Sequence, residues 1–461
     1  MGSHSGRLVL LVLSSMCGAF GQTPPKLIAF DIVADAAGLQ GNEIRLYDDK
    51  KAQSVLYCHS GQQHPENPRV TVVVFNLAYA GIKSYAWNET IRTMRQFESS
   101  EFLYFYVKTG RGALLPVHGL PEKDAESPPT NLRWIDRNLP PIEKTLPLEP
   151  LLKKSGITSM IRLAPYVDLA ARLAAFPAQK NLICIGCLSA KPSEWDPSPF
   201  GNEAAYAAEL RQLSDALARA RVAVYPVHGS GPSGLVGAGN GAGVTNRPGG
   251  LQLFPGGIAE VTGGRTYSSG QIMEAIQQAV RDRKSTYRIA YLPPPENWDG
   301  KRHKITIGST RSGVHLLAPR WYIAEPQESE PIPKVAITSP FDQTDIAVSV
   351  SVPKSAENAQ RIEIRVDAAD LLLMPRNSRY SGSIAMQTIC YTPDQRKRAC
   401  TEPASVKLDL SRQEYATAIS GGLRFPIEVP ADEAFSRIRV LVRDEYSGAM
   451  GTATFVRNEE R

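Results

Sequence analysis

The chain has 461 residues, 42% of them hydrophobic, enough to bury a sizeable core and build two or more domains. Its 52 basic and 46 acidic residues leave a formal net charge of +6. No basic block dominates: Arg396-Lys397-Arg398 is the densest cluster and reads as a solvated loop, so the chain is not expected to bind nucleic acid.

Residues 1–21 read as a signal peptide. Arg7 precedes the apolar run 8–13, and Ala19-Phe20-Gly21 fits the small-x-small cleavage pattern, leaving Gln22 as the first mature residue. The apolar run is far short of the ~20 residues that span a bilayer. No later stretch is long enough either, so no stable membrane insertion is expected. Met16 is large for the position before a lipidated cysteine, which favours soluble export over anchoring at Cys17. The protein is therefore expected to be secreted or periplasmic, in an oxidising compartment.

Segments 26–33 and 43–57 read as strand regions, with Asp48-Asp49 as a hairpin turn beside Lys50 and Cys58 without a local partner. Residues 70–80 (VTVVVFNLAYA) form an apolar strand of the kind buried on both faces of a parallel sheet. Residues 84–97 place Trp87, Ile91, Met94 and Phe97 at helical spacing behind Ser84 as a cap. An aromatic strand (102–107) and a shorter one (113–117) precede a Pro-rich stretch, 120–150, that reads as irregular. A helix over 157–176 leads into strand 181–188 (NLICIGCL), a helix over 204–220 into strand 222–227 (VAVYPV). Cys184 and Cys187 fall inside the first of these strands, where an offset of three puts them on opposite faces, so both read as buried structural cysteines. Residues 229–250 are Gly-rich but lack the Lys and the following helix of a phosphate loop, and read as a flexible insertion. A helix over 271–283 and a strand over 287–291 supply one more unit, with Asp299-Gly300 as a turn beyond it. This alternation is the signature of a doubly wound α/β domain over 22–326, with N-terminal strands over 22–60.

Residues 327–334 (QESEPIPK) read as a linker. Beyond it, 335–461 carries short alternating strands at 347–352, 361–367, 406–410, 423–429 and 437–443, with one short helical stretch near Gln413, as in an all-β sandwich. Cys390 and Cys400 bracket the turn-rich YTPDQRKRA and are expected to form a disulfide.

Several segments together resemble the acidobacterial family of exported von Willebrand factor A-related proteins. Residues 43–51 (EIRLYDDKK) look like its N-terminal strand and turn, and PAQKNL (177–182) is similar to its approach to a central strand, with Ala178 and Gln179 departing. Residues 224–227 followed by His228-Gly229 resemble a strand end where Asp is common in place of His228. The closest match is AEVTGGRTY (259–267), followed by 285–293, 299–305 and 313–322; 406–423 and 442–452 look like the family's closing β-sandwich. The resemblance implies a von Willebrand factor A-like doubly wound, mainly parallel sheet followed by an Ig/fibronectin-like sandwich.

Such domains hold a divalent cation through Asp-x-Ser-x-Ser at the end of the first central strand. A hard cation needs oxygen ligands including a carboxylate. The matching positions here are Asn76, Ala78 and Ala80, and the second central strand ends Ile185-Gly186 without an Asp. No metal and no cofactor are therefore expected at Asn76, Ala78, Ala80, Gly186 and His228, which remain the expected ligand edge. The expected function is a non-enzymatic interaction protein with a protein partner. The rivals are a hydrolase or carbohydrate-processing protein using His118, His228, Ser230 or Asp136, and a structural envelope component.

Overall fold

The computed structural model describes residues 27–60, 70–77, 80–99, 102–109, 112–121, 133–146, 163–176, 180–186, 203–227, 257–282, 286–324, 332–337, 339, 342–351, 361–392, 397–428 and 435–456. The expectations for the signal peptide, Cys17, Ala78, Cys187, His228, Ser230 and 229–250 lie outside them. The chain is a mixed α/β structure.

The first four strands are β1 (Ile28–Ala34), β2 (Ile44–Asp48), β3 (Lys51–Gln53) and β4 (Val55–Ser60). A two-residue loop joins β2 to β3, with φ of +43° at Asp49 and +71° at Lys50, as a type I′ hairpin needs. The expected turn at Asp48-Asp49 is thus present, one residue along.

The central sheet follows: β5 (Thr71–Asn76), β6 (Leu103–Lys108), β7 (Leu114–His118), β8 (Lys180–Ile185) and β9 (Val222–Val227). Its order is β7-β6-β5-β8-β9, parallel except for β7, which returns antiparallel at one edge. β5, β8 and β9 are buried at every residue, which is why each reads as an unbroken apolar run. Alternate side chains feed two cores. Val73, Phe75, Phe105 and Ile183 pack with helices Tyr85–Gln96, Trp134–Thr145 and Ile272–Asp282 on one face. Val72, Val74, Tyr104 and Leu182 pack with helices Ala164–Leu173 and Glu203–Arg219 on the other.

Two local expectations fail here. Residues 134–145 are helical despite Pro140 and Pro141, because burying Trp134, Ile135 and Leu139 outweighs the local cost. The strand expected to run to residue 188 stops at Ile185, and Gly186 turns with φ +71°. Cys184 is fully buried, as expected, and is disulfide-bonded to a partner outside the described residues.

The next strands are β10 (Thr286–Tyr291), β11 (Arg302–Ser309), β12 (Leu316–Leu317) and β13 (Trp321–Ile323). β10 was expected to extend the parallel units. It pairs antiparallel with β1 and β4 instead, forming the sheet β12-β1-β10-β4. A second sheet, β13-β11-β2-β3, faces it across Phe30, Ile32, Leu46, Ile289, Tyr291 and Tyr322. The segments before and after the central sheet thus close into one unit of their own.

The remaining strands are β14 (Val348–Ser351), β15 (Arg361–Val366), β16 (Met374–Arg376), β17 (Arg379–Tyr391), β18 (Lys397–Ala399), β19 (Ala404–Ser411), β20 (Leu423–Glu428), β21 (Arg437–Asp444) and β22 (Met450–Val456). They form two antiparallel sheets, β14-β15-β20 and one centred on β17. Ile362, Ile364, Ile384 and Val440 share the core between them, and helix Arg412–Gly421 lies beside it. β17 escaped the sequence reading because both its faces are covered: Ile384 and Met386 face this core, Ala385 and Ile389 face Ile332 and Ala336. Two covered faces leave no polar alternation to read. Cys390 and Cys400 are disulfide-bonded, as expected. Cys58 is free, and burial pushes its thiol up to about 11.

Candidate functional site

The amino end of the parallel sheet is closed by buried charge. Arg221, which precedes β9, donates through Nη2 to Asp31 Oδ1 on β1 at 2.6 Å and through Nη1 to Asp345 at 3.4 Å. Arg288 on β10 stands 3.8 Å from Asp31 and 3.6 Å from Asp345. Burial opposes the Asp31 charge, but Arg221 and Arg288 outweigh it and hold the carboxyl at about 2. Lys180, which opens β8, is buried nearby and donates to Phe176 O at 2.9 Å; burial, with Arg221 close, pushes its ammonium well below the usual range. This end joins the central sheet to the antiparallel units.

The carboxyl end is the side on which α/β sheets place ligands. The order β7-β6-β5-β8-β9 reverses at β5, so the switch point lies between the ends of β5 and β8, the position where α/β sheets place ligands. Asn76 ends β5 there and is buried; its Nδ2 donates to Gly186 O at 2.9 Å. Gly186 N donates to Val227 O at 2.8 Å, and Leu77 N to Lys108 O at 2.9 Å. Tyr267 N donates to Pro226 O at 2.9 Å, bringing residues 264–267 alongside β9. Gly264 allows this approach, since a Cβ there would lie 1.9 Å from Val224 O. The strand ends are thus laced together by backbone and amide groups.

Of the residues expected at this edge, Asn76 and Gly186 are brought together, and they bond to each other. Ala80 is half-buried and packs on the core around Phe75. Sequence reasoning missed Lys108, whose side chain is fully buried at the end of β6 beside Asn76. Its signal was a lone Lys closing an aromatic strand. It also missed two exposed apolar side chains: Tyr85, 52% exposed, and Met273, 37% exposed. Tyr85 opens the helix that follows β5, Met273 sits at the start of helix Ile272–Asp282, and those helices pack together.

Of the hydrolytic candidates, His118 and Asp136 are among the described residues, and each is engaged elsewhere. His118 is a stacked ring, 5.2 Å from Tyr104 and 4.8 Å from Trp134 by centroid, and burial lowers its pKa. Asp136 pairs with Arg95 at 2.9 Å on the surface. Among the described residues, the one His/Cys/Asp/Glu group able to hold a metal is Asp48, Asp49 and His303, on the β2–β11 sheet and not at this edge. No helix among them is long and apolar enough to cross a membrane. Comparison with protein-family models and with curated proteins finds no match to this chain.

Proposed function

We propose that the chain is an exported, non-enzymatic protein-interaction protein. A von Willebrand factor A-like domain offers the carboxyl edge of its parallel sheet to a protein partner without a metal-dependent adhesion site, and an Ig/fibronectin-like sandwich supports it. The observation that carries this reading is the amide clamp from Asn76 to Gly186 O. An acidic residue at that place would offer an anionic oxygen to a cation. The amide instead spends its donor on the neighbouring strand, in keeping with a site that works without a hard cation. Tyr85 and Met273 give this edge the exposed apolar surface that protein interfaces favour at their centres.

Capture of secreted or envelope proteins by the immobilised full chain tests this. Capture is expected to survive chelator and to fall at least about tenfold in a Tyr85→Ser, Met273→Ser double variant of unchanged circular dichroism. Loss of capture in chelator, restored by Mg²⁺, overturns the reading.

A further inference from the structure

A second region of the molecule carries chemistry that the carboxyl edge does not use. Asp48 ends β2, Asp49 begins the turn, and His303 lies across on β11, where Asp49 N donates to Lys304 O at 2.9 Å. One ligand atom from each of the three residues lies within 4.8 Å of the other two. We propose that Asp48, Asp49 and His303 form a binding site for a divalent transition-metal ion of the zinc class.

Several polar atoms of these three residues are already committed to neighbours. Asp48 Oδ2 accepts from Tyr291 OH at 2.9 Å, Tyr322 OH at 2.7 Å and Asn297 Nδ2 at 2.7 Å. Asp49 Oδ1 accepts from Lys304 N at 3.0 Å. His303 Nε2 lies 3.0 Å from Asp299 Oδ1. In each residue one polar atom is anchored; Asp49 Oδ2 and His303 Nδ1 meet each other at 2.7 Å, and Asp48 Oδ1 is the oxygen left without a partner. Anchoring of this kind, above all a carboxylate on the far nitrogen of a ligating imidazole, is what orients metal ligands.

Asp48 is 1% exposed, and its Oδ1 is buried without a hydrogen-bond partner. An orphaned buried carboxylate oxygen is costly and calls for a specific reason. A cation bound to that oxygen provides one. Three hydrogen bonds fix Oδ2, so the side chain cannot turn to relieve Oδ1 while they hold.

The donor set selects the ion. Two carboxylate oxygens and one imidazole suit Zn²⁺, whereas Mg²⁺ and Ca²⁺ prefer oxygen alone. Tetrahedral Zn²⁺ with bonds of about 2.0–2.1 Å sets its ligand atoms about 3.3 Å apart, within reach of small rotations of the Asp49 and His303 side chains about the fixed Asp48. In the metal-free geometry His303 Nδ1 and Asp49 Oδ2 are 2.7 Å apart and share a proton. The incoming ion takes that position and the proton leaves to solvent. The Asp49 side chain is half exposed, which gives the ion a path and leaves a fourth position for water. A bound ion would pin the β2–β3 hairpin to β11.

The test uses the full chain, stripped with chelator, desalted and titrated calorimetrically with Zn²⁺ alone. One equivalent is expected to bind, and Asp49→Asn and His303→Gln are each expected to weaken it at least about tenfold. Asp48 itself is left intact, since Tyr291 and Tyr322 depend on it. Co²⁺ provides a second readout: visible absorption of a four-coordinate nitrogen–oxygen site in the parent chain, absent in His303→Gln. No binding by the folded parent, or equal binding by parent and both variants, overturns the proposal. A chelator effect on partner capture that Zn²⁺ reverses and His303→Gln abolishes belongs to this site. One that Mg²⁺ reverses in the His303→Gln chain belongs to the carboxyl edge.

Discussion

Arg221 and Asp31, 190 residues apart, meet in a two-pronged ion pair that joins the central parallel sheet to the first strand of the chain. Asp345 takes the third guanidinium nitrogen, so one side chain links three parts of the sequence. Removing one partner of a buried pair leaves the other charge uncompensated. Arg221→Ala is expected to cost about 3–5 kcal/mol, read as a lower denaturation midpoint. Arg221→Ala with Asp31→Asn together should cost less than the sum of the two single changes.

The same pair sets an acid limit. Asp31 is held at about 2 in the folded state against about 3.9 unfolded. A depressed carboxyl contributes stability that is present above the unfolded value and lost as pH falls through the folded one. The parent chain should therefore lose stability between about pH 4 and pH 2 more steeply than Asp31→Asn, as thermal melts across that range would show.

Asn76→Asp replaces the donor to Gly186 O with an oxygen facing an oxygen in a buried place. About 2–4 kcal/mol of destabilisation is expected. Mg²⁺ should not restore it, because Ala80 brings no side-chain ligand. A melting temperature that recovers with Mg²⁺ would refute this.

Gly264→Ala forces a Cβ to 1.9 Å from Val224 O on a fully buried strand. Backbone on both sides leaves no side chain to give way, so the variant should fail to accumulate as folded protein. Gly270→Ala, where the Cβ meets nothing within 4 Å, serves as the matched control.

Cys400→Ser opens the ten-residue span closed by the Cys390–Cys400 bond. By loop entropy it should lose about 2–3 kcal/mol in denaturant titration. Reducing agent should add little further loss from that bond in the variant, beyond the effect on Cys184.

The sequence by itself determined the elements whose environment is uniform. β5, β8 and β9 are covered on both faces by helices, so burial writes itself as a continuous apolar run, and Ser84 caps the following helix through Trp87 N at 3.1 Å. The Cys390–Cys400 pairing was legible because its partners are close in the chain. Other features depend on contacts far apart in sequence. β10 carries the same apolar look as the parallel strands, yet its partners are β1 and β4, and no local pattern distinguishes parallel from antiparallel pairing once both faces are buried. The Trp134–Thr145 helix forms against local propensity because packing decides it. At the candidate edge, the missing carboxylate at Asn76 was plain from the residue type, but that its amide would bond to Gly186, 110 residues on, was not. Asp48-Asp49 read as a turn, and a turn it adjoins. Only the tertiary structure set His303 against it from 254 residues away and left one Asp48 oxygen buried without a partner. Residue types are local, whereas which polar atoms remain unsatisfied depends on every neighbour that folding brings in.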